Sequence, residues 1–272
     1  MASEHTAKPG ARPLVKVEIR EHTAWLTLDR PDSLNALSGD MLRDLDGAVR
    51  QIRESERVRC VILSGAGKAF CAGGDLRGFK ADVDAGATQE LIEKLDYAQQ
   101  VFDAIETLPM PVIAAVQGYA IAGGLELLLC CDLVLAGASA RIGDGHARYG
   151  IIPAGGCSAR LPRKIAANHA NFMLLTAELL SATTLAHWGL VNEVVADEAL
   201  LERAGQIAQQ IAAHSPLGLG IIKKLLRNGR DASQAQAAQA EIQAFRSYAH
   251  SQDFAEGLAA FAQKRQPTFK GA

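Results

Sequence analysis

The hydrophobic positions of the chain form short strand-like runs that alternate with segments of helical periodicity. Residues 15–20 and 23–29 are two such runs around a two-residue turn, which predicts a β-hairpin. Apolar residues then recur at helical spacing from about Ser38, which is a suitable helix cap, to Ile52. Further short apolar runs predict buried strands at 58–64, 112–116 and 133–136.

The apolar run over residues 120–140 is long enough to suggest a membrane span. Because it contains Glu126, Asp132 and a glycine pair, it is interpreted as a buried helix followed by a buried strand. Beyond it the pattern becomes helical, with a helix start at Ser215 and helical composition over 231–248 and 253–265. The first two-thirds of the chain therefore alternates strands and helices, and the last third is helical.

Composition limits the class of protein. Of 272 residues, 49% are hydrophobic, and 28 basic against 30 acidic side chains give a formal net charge of -2. These values argue against disorder and against nucleic-acid binding through phosphate neutralisation. The five cysteines form no C-x-x-C pair, which predicts reduced thiols in a cytoplasmic protein. Residues 1–13 lack the apolar stretch of a signal peptide and are interpreted as a flexible tail.

The tripeptide Ala-Gly-Gly occurs three times, beginning at Ala72, Ala122 and Ala154. The first two copies each follow a predicted strand and precede a segment that can form a helix. Paired glycines there allow close approach of backbone or ligand, and they leave the first helical amides free to donate hydrogen bonds. Two interpretations remain open: tight packing of successive turns in a repeating ββα coil, or a paired oxyanion site.

Several familiar catalytic motifs are incomplete in this sequence. Residues 65–68 look like the end of a phosphate-binding loop but lack its leading glycine and the following Ser or Thr. The segment 156–160 begins like a nucleophile elbow and breaks at Arg160, where glycine is required. The seven histidines are scattered without ligand spacing, so no metal site is predicted.

Glu126 is the strongest candidate for chemistry, because its predicted helix is apolar on nearly every side. A buried carboxylate needs a partner. It is therefore either a structural acceptor for a buried amide or arginine, or a general acid/base whose pKa is raised by burial. His146 lies in a glycine-punctuated loop, where spacing alone does not separate a catalytic imidazole from a surface histidine.

Together, several segments resemble the crotonase (enoyl-CoA hydratase/isomerase) superfamily, in order and at family spacing from about Leu14 to the end. They are LDRP at 28–31 with NAL at 35–37, AFCAGGDL at 69–76, PVIAAVQGY at 111–119 leading into GGLEL at 123–127, GIIP at 150–153 with GG at 155–156, WGLVN at 188–192, and parts of 256–265. The resemblance implies an α/β fold with a ββα superhelix over 14–200 that carries the active site. A C-terminal helical trimerisation region over 201–272 is implied as well, in a homotrimer or a hexamer built as a dimer of trimers.

The resemblance further implies that the substrate is an acyl thioester of coenzyme A, with no separate cofactor and no metal. The amides of Gly74 and Gly123 match the two positions that hold the thioester oxygen while an enolate forms. The positions that match the coenzyme A site are Ala36, Lys68, Ala72, Asp75, Leu76, Phe261 and Lys264. Phe261 and Lys264 would close over the nucleotide, often from a neighbouring subunit. Segment 79–90 is expected to be a loop that lines the acyl pocket.

Hydratases of this family use two glutamates, and Glu126 matches the first. His146 occupies the second position, and Asp144 is a candidate to orient its imidazole. The leading hypothesis is reversible hydration of a 2-enoyl-CoA in fatty acid metabolism, with Glu126 as base and His146 as acid. The alternatives are a crotonase-fold hydrolase or isomerase that uses His146, and a catalytically silent binding subunit. Neither nucleic acid nor a membrane is an expected partner.

Overall fold

The computed structural model describes residues 12–272, so residues 1–11 of the predicted tail lie outside the described residues. The strands are β1 (Val15–Arg20), β2 (Thr23–Leu28), β3 (Cys60–Gly65), β4 (Ala69–Cys71), β5 (Val112–Val116), β6 (Tyr119–Ile121), β7 (Leu133–Gly137), β8 (Arg141–Gly143), β9 (Leu180–Ser181) and β10 (Glu193–Val195). The α-helices are α1 (Gly39–Arg53), α2 (Leu76–Asp84), α3 (Thr88–Glu106), α4 (Gly123–Leu129), α5 (Cys157–Arg160), α6 (Ala167–Thr176), α7 (Ala182–His187), α8 (Leu200–Ala212), α9 (Pro216–Gly229), α10 (Gln234–Tyr248) and α11 (Gln252–Gln263).

The strands form two sheets, and the chain passes repeatedly from one to the other. The first sheet has the order β1-β2-β3-β5-β7-β10, and the second has the order β4-β6-β8-β9. In the first sheet β2, β3, β5, β7 and β10 run parallel, and β1 pairs antiparallel at the edge. The pairs β3–β4, β5–β6 and β7–β8 each place one strand in each sheet. This arrangement confirms the predicted α/β fold with its repeated ββα unit.

Strands β3 and β5 are buried on both faces, which explains their continuous apolar sequences. In β3, Val61 and Leu63 belong to the main core, together with buried side chains of α1, α3 and α4. Cys60 and Ile62 alternate with them and pack on the opposite face, against Leu200 and its neighbours on α8. The first sheet is therefore packed on both faces, against α1, α3 and α4 on one side and against α8 on the other.

The elements predicted from local pattern are largely present. The hairpin of β1 and β2 and helix α1 are confirmed, and Ser38 caps α1 by accepting the Met41 N–H at 3.2 Å. The predicted strand at 58–64 begins two residues later, at Cys60. The apolar run at 120–140 contains a buried helix, α4, and a buried strand, β7, as predicted.

The prediction that segment 79–90 is a loop is wrong, because most of it is helical. That the segment lines an acyl pocket stays a prediction. Helices α2 and α3 cover all of it except residues 85–87. The carboxylate of Asp75 caps α2 by accepting the Gly78 N–H at 3.3 Å. A helix cap at this position favours a helix over a loop. This signal was not used in the prediction, where Asp75 was only a coenzyme A contact.

The C-terminal third is helical, as predicted. Helix α8 packs on the sheet, whereas α9 and α10 bury none of their residues. Asp253 anchors α11 by accepting the Ser215 Oγ–H at 2.6 Å. The domain boundary at residue 200 and the role of this region in assembly stay predictions. No helix within residues 12–272 has the length and apolar character needed to cross a bilayer, and all five cysteines are buried free thiols.

Candidate active site

Two glycine turns meet where the second sheet leads into helices. Gly74 follows β4, and Gly123 is the first residue of α4. A Cβ atom built on Gly123 would lie 3.4 Å from the Gly74 nitrogen, so the two backbone segments are in contact. Within residues 12–272 neither of these two amides donates a hydrogen bond. A pair of adjacent amide donors of this kind suits an oxygen atom on which negative charge develops.

The turn into α4 contains a strained residue, Ala122, with φ 51° and ψ -116°. Its N–H donates to the Gly143 carbonyl at 3.0 Å, and its carbonyl accepts the Glu126 N–H at 2.9 Å. Because both sides of Ala122 are held by these bonds, the strained conformation persists. Such strain is typical of functional sites, and here it sets the direction of the next amide, that of Gly123.

Glu126 lies on α4 and is only 4% exposed. Its Oε1 atom accepts the Gly155 N–H at 2.7 Å and the Cys157 N–H at 3.3 Å. Burial raises the pKa of Glu126, while the positive charge of His146 and the two backbone hydrogen bonds offset part of that increase. Glu126 is thus an acceptor for buried amides, and the raised pKa makes its carboxylate a stronger base than an exposed glutamate.

His146 begins a 3₁₀ turn (His146–Tyr149) after β8 and pairs with Asp144. The distance from His146 Nδ1 to Asp144 Oδ1 is 2.8 Å, and the side chains are 12% and 1% exposed. Because a carboxylate oxygen only accepts, Nδ1 carries a proton in this pair and Nε2 remains for other partners. Burial opposes the imidazolium, but the Asp144 hydrogen bond and the charges of Asp144 and Glu126 outweigh it, so the pKa of His146 is raised.

Glu126, Asp144 and His146 form one electrostatic unit. The charge of His146 lowers the pKa of Glu126, and the charge of Glu126 raises that of His146. A Cβ on Gly145 would lie 2.8 Å from Ile121, so the His146 turn packs against β6 just before the Gly123 turn. Within residues 12–272 no group of three or more His, Cys, Asp or Glu side chains is arranged to hold a metal ion. The packing of the His146 turn against β6 brings the acid–base groups of Glu126 and His146 close to the turn that carries the Gly123 amide.

A family model described as enoyl-CoA hydratase/isomerase matches residues 18–272. The chain belongs to this family. It is 37% identical over 256 residues to 2,3-dehydroadipyl-CoA hydratase of Escherichia coli, covering 94% of this chain and 98% of that relative. It is 35% identical over 254 residues to crotonyl-CoA hydratase of Syntrophomonas wolfei, covering 93% and 96%. The crystal structure of an enoyl-CoA hydratase from Bacillus anthracis matches with a TM-score of 0.90 at 36% identity, over 95% of this chain and 100% of that one.

These similarities confirm the crotonase-superfamily resemblance and the prediction of a hydratase-like enzyme. Five of the residues predicted to contact coenzyme A lie near the first glycine turn; they are Ala36, Lys68, Ala72, Asp75 and Leu76, and their role stays a prediction. The Leu37 N–H next to Ala36 donates to the Gly73 carbonyl at 2.8 Å, which joins two of these segments. The carboxylate of Asp75 is already engaged, since it caps α2 and pairs with Arg30 at 2.9 Å.

The other two residues predicted to contact coenzyme A, Phe261 and Lys264, lie elsewhere in the chain. Phe261 is on α11 and is 85% exposed, and Lys264 follows the end of that helix. Within residues 12–272 the Lys264 side chain takes part in no ion pair. Both residues are therefore at the surface of the chain.

The groups that bind the Glu126 carboxylate were not predicted from the sequence. They belong to the third Ala-Gly-Gly copy and the residue after it, which lie 29 to 31 positions further along the chain. A Cβ on Gly155 would lie 2.6 Å from Glu126 Oε2, so glycine is needed for this close approach. The repeated tripeptide was the available signal, but it did not indicate which side chain the third copy contacts.

Proposed function

We propose that this protein catalyses the reversible hydration of a 2-enoyl-CoA thioester. Water adds to C3, a proton adds to C2, and the intermediate is an enolate of the thioester. The observation that carries the proposal is the charged unit of Glu126, Asp144 and His146 beside the Gly74 and Gly123 amides. The names of the relatives, which include two CoA-ester hydratases, support the same reaction.

Glu126 is the proposed base. Its Oε1 atom is occupied by two backbone N–H groups, which leaves Oε2 to accept a proton from the attacking water. Those N–H groups stabilise the ionised carboxylate, while burial raises its pKa and so increases its basicity. A base with these properties removes a proton from water as the C3–O bond forms.

His146 is the proposed acid. The bond to Asp144 fixes the ring and stabilises the imidazolium, so that Nε2–H is the proton available to C2 of the enolate. Asp144 acts on the substrate only through His146 and is a positioning residue. After one turnover Glu126 holds a proton and His146 lacks one, and exchange with solvent restores both.

The Gly74 and Gly123 amides are the proposed oxyanion hole. In the enolate the negative charge is on the thioester oxygen, where two fixed N–H donors stabilise it without reorganisation. Removal of one donor from such a site typically costs about 3 kcal/mol of transition-state stabilisation. Coenzyme A enters as part of the substrate, and the reaction requires no separate cofactor. We also expect a homotrimer or hexamer in which Phe261 and Lys264 close over the nucleotide of a bound ester.

The test is mass spectrometry of enoyl-CoA and 3-oxoacyl-CoA esters incubated with the protein in ¹⁸O-labelled water. We expect a product that gains one water, at rates reduced by about 10²–10⁴-fold in Glu126→Gln and in His146→Ala. Coenzyme A ester binding by Glu126→Gln should remain within a few-fold of wild type. Two variants serve as controls: Glu193→Gln, which removes a partly exposed ion pair with Arg203, and His187→Ala, which changes an exposed histidine.

Other outcomes separate the alternatives. Release of free coenzyme A with ¹⁸O in the carboxylic acid would replace hydration by thioester hydrolysis, and a product of unchanged mass with a shifted double bond would replace it by isomerisation. Binding of esters without any conversion, and without deuterium exchange at the α-carbon in a parallel incubation in D₂O, would show a silent binding subunit.

A further inference from the structure

Arg160 is a half-buried arginine that links the Gly155 turn, which binds Glu126, to helix α3. It ends α5, and its side chain is 12% exposed. Nη1 donates to the Gly155 carbonyl at 2.7 Å, and Nε donates to Glu106 Oε2 at 2.8 Å. Nη2 pairs with Asp103 on the same helix, α3. All three guanidinium nitrogens are thus engaged, two by acids and one by the backbone.

The carbonyl that Arg160 binds lies between the two amides that bind Glu126. It belongs to the peptide unit joining Gly155 to Gly156, whereas the donors to Glu126 are the N–H groups of Gly155 and Cys157. Gly156 has φ +92°, and a Cβ atom there would collide with Arg160 Nη1. A rotation of this central peptide unit would turn at least one donor away from the carboxylate.

We propose that Arg160 is a positioning residue for Glu126. By holding the Gly155 carbonyl, it keeps both amides on Oε1 and leaves Oε2 facing the substrate. The negative charges of Glu106 and Asp103 hold the guanidinium in place from α3. The kinetic part of this inference rests on the proposed function, whereas the effect on the Glu126 carboxyl does not.

Arg160→Lys tests the proposal because it keeps the positive charge and removes the planar guanidinium group with its several N–H donors. A single ammonium group cannot bind the carbonyl and two acids in the same geometry. We expect kcat to fall by about 10–100-fold, as for a displaced catalytic group, with KM within about twofold. The acid limb of the kcat–pH profile should move to higher pH, since the lost N–H donors favour the ionised carboxylate.

A second measurement does not depend on turnover. Isotope-edited infrared spectroscopy of the free protein follows ionisation of the Glu126 carboxyl, assigned by its loss in Glu126→Gln. The titratable groups that face Glu126 are His146 and Asp144 after β8 and the Cys157 thiol of α5, and all three remain in the variant. The Glu126 titration should move to higher pH in Arg160→Lys.

Two further variants keep the result unambiguous. Arg163→Lys is the matched control, because Arg163 is an exposed arginine that pairs with Asp231 at 2.9 Å. It should leave both the titration and kcat unchanged. Glu106→Gln keeps a hydrogen-bond acceptor for Arg160 Nε and removes the negative charge. The Glu126 titration should therefore move to higher pH by less than in Arg160→Lys. This variant replaces Arg160→Lys as the test if the lysine variant does not fold.

An unshifted Glu126 titration in folded Arg160→Lys, or in Glu106→Gln if the lysine variant does not fold, would overturn the proposal even if kcat fell. A shifted titration in a protein whose wild type hydrates no ester would support the role of Arg160 and reject the proposed function.

Discussion

Gly155→Ala adds one methyl group directly against the proposed base. Its Cβ would lie 2.6 Å from Glu126 Oε2 and 2.6 Å from a ring carbon of Phe102, Cε2. Favourable nonbonded carbon contacts lie at about 3.5–4.0 Å, so a displacement of about 1 Å is needed. Phe102 is buried in the core and has no room to withdraw, so the carboxylate moves. Because Gly155 does not have a left-handed φ, the effect is steric rather than conformational.

We expect kcat to fall by about 100-fold, the usual consequence of misplacing a catalytic group by about 1 Å. KM should change by less than about twofold, since Gly155 contacts Glu126 and not a coenzyme A position. Overpacking should also lower the free energy of unfolding by about 1–3 kcal/mol. Initial rates with the ester identified in the labelled-water experiment give the first two quantities, and urea unfolding gives the third.

Gly47→Ala provides the matched control. Gly47 lies within the exposed part of α1, and a Cβ atom there would have no heavy atom within 4 Å. Alanine should stabilise this helix by about 0.5–1 kcal/mol and leave kcat unchanged. If Gly155→Ala folds and keeps kcat within about threefold of wild type, the position of the Glu126 carboxylate is not critical and its assignment as the base is refuted.

Three further substitutions test the site. Asp144→Asn removes the negative charge and weakens the hydrogen bond that together raise the pKa of His146. The pKa of His146 should fall, and the alkaline limb of the kcat–pH profile should move to lower pH. An unmoved limb would contradict the assignment of His146 as the acid. Ala122→Gly releases a strained φ, worth about 1–3 kcal/mol, against an entropic cost of about 0.5–1 kcal/mol, so urea unfolding should show a gain of about 1 kcal/mol. A loss of stability there would show that Ala122 is not strained. His146→Glu should have a lower kcat at pH 7 than the double variant Asp144→Asn/His146→Glu, because the single change places three carboxylates together. The opposite order would refute the charge balance inferred for the site.

Local pattern predicted those elements whose stabilising contacts are near in sequence. The hairpin and α1 are examples, because alternation, periodicity and the Ser38 cap all act within a few residues. Helix α2 was missed at the same scale, since Asp75 was considered for a ligand and not for the Gly78 amide. The order of the strands in two sheets is set by contacts distant in sequence and was not predicted. The family resemblance, rather than periodicity, predicted the repeated ββα unit.

The candidate site shows the same limit. Burial of Glu126 was predictable from its apolar helix, but the acceptor role was not, because the donating amides lie about 30 residues away. Asp144 was a candidate partner for His146, yet a separation of two residues in a loop allows many geometries. Only the αL conformation of Gly145 and the packing of its turn against β6 bring the carboxylate to Nδ1.

In the proposed mechanism, the Ala-Gly-Gly copies serve packing and chemistry together. Gly124 is required for packing, since a Cβ there would collide with the Cys71 carbonyl. The adjoining Gly123 lies against Gly74, since a Cβ atom on Gly123 would be 3.4 Å from the Gly74 nitrogen. In the unit of Glu126, Asp144 and His146, two acidic side chains are joined by one basic side chain. The imidazolium compensates Glu126 and Asp144, so one buried site can hold an ionised base beside a protonated acid.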